Sequence, residues 1–387
     1  MVSTGLSAMS FYTPHRYVSL DTLAEHHGID PAKFSKGIGQ EKIAMPGHDE
    51  DAVTLAAEAA RPIIDRFGTD DIDTVLFATE SGVDQAKSAG IFLHDLLGLP
   101  NNIRHVELKQ ACYSATGALQ MSCAYVARKP DKKILLIASD VARYDLDSSG
   151  EATQGAGAVA MLISTEPKLL EIGPISGLFT EDIMDFWRPN DRRTPLFDGK
   201  LSALRYMKAL VEAWRDYRAN GGSQYDEFDR FCYHLPFSRL GEKAHSHLAK
   251  EAEVAADMGK ALPGMIYNRQ VGNSYTASIY LAILSTLENS DEDLSGSRLG
   301  LFSYGSGATA EFFDATVVPG YREYLAPERH REILNRRKAV SYDEYIALWH
   351  AVPEAEGAMT SMPDEAVGRY RLTGIDDKKR IYTDRQG

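Results

Sequence analysis

The sequence predicts an α/β protein in which both sheet faces are covered, and three observations carry that prediction. Short apolar, β-branched runs alternate with longer amphipathic stretches; the order of these elements recurs weakly between the two halves; and no low-complexity linker cuts the chain. Together they describe one layered unit rather than a string of modules.

The elements follow in order. Asp51–Phe67 has helical apolar spacing, and Thr74–Thr79 reads as a buried strand ending at Glu80. Ala86–Leu97 and Ser114–Arg128 are helical, the second opened by Ala111-Cys112-Tyr113-Ser114. Strands Ile134–Ser139 and Ala156–Ser164 close the first half. In the second half, the strand Phe231–Leu235 passes through His234, the helix Tyr275–Leu287 is opened by Gly272-Asn273-Ser274, and the strand Leu299–Tyr304 follows. Two similar halves would place Glu80, Cys112, His234 and Asn273 near one pseudo-symmetry axis. Residues 171–229 fit neither half and read as an inserted cap rich in aromatic and charged residues, so the expected division is 1–170, cap 171–229, and 230–387.

Length and charge bound the function. A chain of 387 residues can bury a large core. Lys plus Arg number 42 against 55 Asp plus Glu, a net charge of −13. Such a surface repels phosphate backbones, which argues against a nucleic-acid partner but leaves room for a small anion held by local cations. Met1–Tyr12 lacks the pattern of a signal peptide, and runs such as Ile134–Ala138 are far short of the ~20 residues of a membrane helix. A cytoplasmic protein without a membrane partner is expected. Three cysteines, Cys112, Cys123 and Cys232, suggest neither a disulfide framework nor a zinc site.

Cys112 is the chemical candidate among them. A thiol at a helix N-terminus is expected to have a lowered pKa, and the N–H groups there can hold an oxyanion; the alternative is a buried structural thiol. Cys123, inside a helix, and Cys232, inside a strand, read as structural. Glu80 stands at a strand's carboxyl end, where burial would make it a usable acid or base, or else it is a solvated loop carboxylate. His234 holds the matching place in the second half, and the other ten histidines are read as structural. Asn273 is either a helix cap or a donor to a substrate carbonyl. The glycine-rich Gln154–Ala158 and Tyr304–Ala308 permit close backbone approach, and no phosphate-loop pattern occurs.

Six motifs in register, Ala78-Thr79-Glu80-Ser81, Lys109-Gln110-Ala111-Cys112-Tyr113, Gln154–Ala158, Tyr233-His234-Leu235-Pro236-Phe237, Gly272–Thr276 and Phe302–Gly307, resemble those of the bacterial hydroxymethylglutaryl-CoA synthases, a family of the thiolase superfamily. The likeness runs from Phe11 to about Tyr321. It implies the thiolase fold, two βαβαβαββ halves in a five-layered α/β/α/β/α core, and a homodimer. It implies condensation of acetyl-CoA with acetoacetyl-CoA in the mevalonate route to isoprenoids, with these CoA thioesters as substrates and no metal or redox cofactor. By the same resemblance Cys112 is the acetylated nucleophile, Glu80 the acid/base and His234 the residue that positions acetoacetyl-CoA. Asn273 and Ser306 would line the acyl pocket, and Tyr144, Asp185 and Lys243 match pocket or CoA positions. Alternatives are a polyketide β-branching synthase using acyl carrier proteins, a β-ketoacyl synthase, for which Glu80 would have no task, and an inactive scaffold.

Overall fold

The computed structural model describes residues 2–351 and 359–386. Nine strands form the central array: β1 (Gly5–Tyr12), β2 (Ile72–Ala78), β3 (Arg104–Leu108), β4 (Lys133–Ala142), β5 (Gly155–Ser164), β6 (Leu170–Thr180), β7 (Arg230–Tyr233), β8 (Arg298–Gly305) and β9 (Thr309–Val317). Their order is β7-β8-β9-β6-β1-β5-β4-β2-β3. The link between β1 and β6 is confined to Gly5–Glu171 and Leu6–Leu170, so the array is two sheets joined at one corner. Within each, the half's first strand pairs antiparallel with its last, the last pairs antiparallel with its predecessor, and the remainder runs parallel. This is the repeat expected from sequence. In the second half, short 3₁₀ turns and the helix Ile266–Val271 stand where the first half has β3.

Six helices complete the layers: α1 (Ala52–Phe67), α2 (Ala89–Leu97), α3 (Ser114–Arg128), α4 (Gly199–Ala219), α5 (Ser238–Glu251) and α6 (Ser278–Asn289). α1 begins where predicted because Asp51 accepts the N–H groups of Val53 and Thr54 while Thr54 returns a bond to the Asp51 N–H. α6 has every residue from Ser278 to Leu287 buried, the pattern of a helix without a solvent face. It lies with α3 between the sheets, where Thr116 meets the Tyr280 hydroxyl and Ser303. α1 and α2 cover the outside of one sheet, α4 and α5 the outside of the other, giving the five-layered thiolase fold.

The expected cap 171–229 is corrected. Leu170–Thr180 is the first strand of the second half, hydrogen-bonded along β9, and Gly199–Ala219 is that half's first outer helix. β6 escaped notice because its exposed and half-buried residues outnumber its buried ones, so it lacks a continuous apolar run. Within 171–229, residues 181–198 leave the repeat, as a segment with the short pair Phe186–Trp187 and Leu196–Phe197 beside the cavity described below. The second half therefore starts near Leu170, not at 230.

After β9, the chain returns to the first half. The hairpin Tyr370–Asp376 and Lys379–Asp384 packs over α1 and α2, with Glu58 accepting the Tyr370 N–H at 2.9 Å and Asp51 accepting the Tyr382 hydroxyl at 2.6 Å. Among the described residues no helix is long and apolar enough to cross a membrane.

Candidate active site

The parallel register of β2 and β4 sets Ala78 beside Ala138, so the residues two places on, Glu80 and Asp140, come together at the carboxyl edge of the sheet. Asp140 is fully buried and accepts the Glu80 N–H at 2.7 Å, the Ser81 N–H at 3.0 Å and the Thr79 hydroxyl at 2.8 Å. Cys112 follows Ala111, whose φ of 42° is a left-handed backbone unusual for a residue with a Cβ. Its thiol donates to Glu80 Oε1 at 3.2 Å. Burial and the Asp140 charge raise the pKa of Glu80, against the smaller opposing effects of the Cys112 thiol, Arg188 and Lys109.

The lowered thiol pKa expected from the helix N-terminus is not what the structure shows. Burial and the Glu80 carboxylate push the Cys112 thiol well above its ordinary value. The helix dipole contributes about 0.3–1 kcal/mol, less than one pKa unit, and its first-turn N–H groups are already engaged. Ser114 N–H bonds to Ala111 O, Ala115 N–H to Thr276 Oγ1 and Thr116 N–H to Tyr113 O. Cys112 therefore rests as a thiol, and the reactive form is the one in which Glu80, whose pKa is pushed up to about 8, is ionised and can take the thiol proton as the sulfur attacks.

His234 leaves β7 with its N–H on Phe302 O at 2.8 Å, and Tyr206 donates to its carbonyl at 2.8 Å. Its Nδ1 lies 2.6 Å from Ser278 Oγ, which also accepts the Leu235 N–H at 3.1 Å. Burial drops the His234 pKa to about 3, so the ring is neutral at pH 7. Because Ser278 Oγ already accepts the Leu235 N–H, its own proton is assigned to Nδ1; with that assignment the ring proton sits on Nε2 and His234 is a neutral donor.

A cavity of about 690 Å³ gathers Cys112, Tyr144, His234, Asn273 and Ser306. Asn273 Oδ1 caps the Tyr275 N–H at 2.8 Å, and the residue also lines the cavity. Two glycines let the halves meet here. A Cβ at Gly155 would stand 2.6 Å from the Gly272 carbonyl carbon, and one at Gly305 would stand 2.6 Å from Gln110 O and 2.7 Å from Tyr113 N. These cross-half contacts bring the Asn273 and Ser306 turns up to the Cys112 loop. Neither Cys112 N–H nor Ser306 N–H has an acceptor among the described groups. A second cavity, about 560 Å³, lies on the Glu80 side with Lys109, Arg143, Arg188 and Arg192 in its wall, and Phe186 borders both.

Two candidates are placed elsewhere. Asp185 is fully buried and lines neither cavity; its carboxylate accepts the Tyr304 hydroxyl and the Gly307 N–H, both at 3.0 Å, so it pins the turn that carries Ser306. Lys243 is exposed on α5 outside the cavity wall, and the lysine in that wall is Lys200. Sequence reasoning missed Asp140, although the signal was present: it follows the run Ile134–Ser139 just as Glu80 follows Thr74–Thr79. It also missed Ser278, Tyr206 and Tyr304, which have no local signature.

Comparison with known proteins agrees. Residues 2–168 match the family model "Hydroxymethylglutaryl-coenzyme A synthase N terminal", and residues 249–385 match "Hydroxymethylglutaryl-coenzyme A synthase C terminal". The chain is 39% identical to the hydroxymethylglutaryl-CoA synthase of Enterococcus faecalis over 98% of its own length and 100% of that protein. It is 32% identical to the Bacillus subtilis polyketide biosynthesis 3-hydroxy-3-methylglutaryl-ACP synthase PksG, covering 90% of this chain and 88% of that one. A solved HMG-CoA synthase complexed with CoA superposes with a TM-score of 0.94 at 36% identity, covering 99% of this chain and 100% of that chain. Two family-model matches, a full-length relative and a carboxylate–thiol pair held by a thiolase-fold framework lead to one assignment: the chain belongs to the hydroxymethylglutaryl-CoA synthase family of condensing enzymes.

Proposed function

We propose that the protein condenses acetyl-CoA with acetoacetyl-CoA and water to give 3-hydroxy-3-methylglutaryl-CoA and CoA, supplying the mevalonate route to isoprenoids. The observation that carries this reading is the 3.2 Å contact between Cys112 Sγ and Glu80 Oε1 in a buried site that also holds neutral His234. Cys112 attacks acetyl-CoA as Glu80 accepts the thiol proton; the acetyl–sulfur bond forms, the acetyl–CoA bond breaks, and the proton leaves on the CoA thiol. The free N–H groups of Cys112 and Ser306 suit the oxyanion. Glu80, again a carboxylate, removes a methyl proton from acetyl-Cys112, and the carbanion adds to C3 of acetoacetyl-CoA. His234 Nε2–H donates to that carbonyl, and Glu80 returns its proton to the alkoxide. Water then cleaves the thioester and regenerates the thiol.

The test is purified protein with both CoA thioesters, followed by thiol release and product mass. Turnover with free CoA substrates is expected; turnover only with acyl-carrier-protein substrates would replace this reading with the polyketide β-branching one. The higher identity to the Enterococcus faecalis enzyme than to PksG supports free CoA. Three unpaired cysteines support a cytoplasmic setting. The exposed edge strand β3, with Val106 47% exposed, suits pairing with a second copy, and the homodimer belongs to this proposal.

Two outcomes follow directly. His234→Ala is expected to leave Cys112 acetylation near normal while condensation falls roughly 10²- to 10³-fold, the usual effect of removing one transition-state donor; single-turnover acetylation and steady-state rates separate the steps. Asp140→Asn is expected to move the acid limb of kcat/KM to lower pH. Glu80 must be deprotonated to act as base, and the Asp140 charge holds its pKa up, so removing that charge lets Glu80 ionise sooner as pH rises. A pH–rate profile checks the sign.

A further inference from the structure

We propose a binding site for a borderline divalent metal, of the Zn²⁺ or Ni²⁺ class, formed by His26, His27 and Asp147 outside the catalytic cavity. The histidines end the helix Leu20–His27, and Asp147 lies in the turn that follows Tyr144. One ligand atom from each residue lies within 4.8 Å of the others. His27 Nδ1 and Asp147 Oδ1 are 3.7 Å apart. Two ligands about 2.0–2.1 Å from a tetrahedral ion stand roughly 3.3 Å apart, so a small side-chain rotation closes the site.

A second observation points to a metal independently of this spacing. Glu151 is 2% exposed, and its Oε2 lies 3.2 Å from His27 Nε2. The same oxygen accepts the Asp147 N–H at 2.9 Å, and Oε1 accepts the Tyr345 hydroxyl at 2.9 Å. A carboxylate accepting from Nε2 puts the ring proton there and leaves the Nδ1 lone pair facing Asp147. That is the carboxylate–histidine–metal arrangement, in which the outer carboxylate sets the tautomer and raises ligand basicity. The His26 ring is stacked on Tyr342 at 3.4 Å and 10°, which fixes its plane. Two imidazoles with one carboxylate suit Zn²⁺ or Ni²⁺ better than Mg²⁺ or Ca²⁺, which prefer oxygen ligands.

The site connects to the cavity wall. Gln154 donates through Nε2 to the Tyr345 hydroxyl at 2.8 Å and accepts the Tyr144 N–H through Oε1 at 3.0 Å. The turn carrying Asp147 also places Ser149 and Gly150 in the cavity wall. A bound ion ties this turn to the helix Leu20–His27 and acts on the position of the wall; the condensation steps above do not pass through it.

The experiment titrates Zn²⁺ into tag-free Cys112→Ser protein, which removes the reactive thiol as a competitor, by calorimetry and by competition with a chromophoric chelator. One saturable site per chain is expected. Glu151→Gln is expected to weaken it about 10- to 100-fold, and His27→Gln or Asp147→Asn to abolish it. His94→Gln is expected to leave it unchanged. The Asp147 side chain is 77% exposed, so Asp147→Asn decides the matter even where Glu151→Gln fails to fold. Absence of saturable binding, or equal affinity in the parent, His27→Gln and Asp147→Asn proteins, overturns the proposal.

Discussion

Glu80→Ala protein is expected to lose condensation by roughly 10³- to 10⁴-fold, at the upper end of general acid–base effects, while still acetylating Cys112 slowly. The asymmetry comes from the two ways Glu80 acts on the thiol. Its carboxylate accepts the thiol proton, yet its charge also raises the thiol pKa. Removing it deletes the acceptor and eases ionisation of the sulfur, so the first step slows without stopping. The methyl group of acetyl-Cys112 has no such relief: a carbon acid needs a positioned base, and the neighbouring carboxylate, Asp140, is committed to the N–H groups of Glu80 and Ser81 and the Thr79 hydroxyl. Intact-mass kinetics of acetylation alongside the steady-state condensation rate measure both steps. Near-normal condensation by this variant would sink the assignment of Glu80.

Cys112→Ala is expected to abolish acetyl transfer, with no acetyl adduct after exposure to acetyl-CoA and condensation reduced by roughly 10⁴-fold or more, as when a nucleophile is deleted. The wild-type chain should gain one acetyl group, mapped by peptide mass to Cys112. Cys123 and Cys232 serve as internal controls. Burial raises the pKa of both, to about 11 and about 12, and neither lines the two cavities. A wild-type chain that stays unmodified under turnover conditions would favour the inactive scaffold. Because the Cys112 side chain is small and largely enclosed, alanine removes little packing, and a thermal melt separates lost chemistry from lost fold.

Much of the first half could be read because its strands are buried on both faces. β2, β4 and β5 present unbroken apolar runs, and the Asp51 cap and the small residues of Ser114–Arg128 mark their helices. β1 is also buried throughout, but Gly5–Tyr12 mixes serine, alanine and glycine and does not look like a strand by composition. β3 and β6 are half exposed, and their pattern is lost among loops. That loss produced the misplaced cap: with β6 invisible, the helix Gly199–Ala219 had no sheet to cover.

The site divides along the same line. The sequence by itself determined which residue types stand at strand ends and helix starts, and the repeat was enough to bring Glu80, Cys112, His234 and Asn273 together. Charge state lay beyond it. Whether Cys112 rests as thiol or thiolate depends on the dielectric around it and on carboxylates distant in sequence, and here burial with Glu80 outweighs the helix dipole. Tertiary structure alone also set Asp185 behind the Ser306 turn and Lys243 outside the cavity, and directed Ser278 onto His234. A strand end is a local property of the chain, whereas a pKa and a hydrogen-bond partner depend on everything packed within a few ångströms.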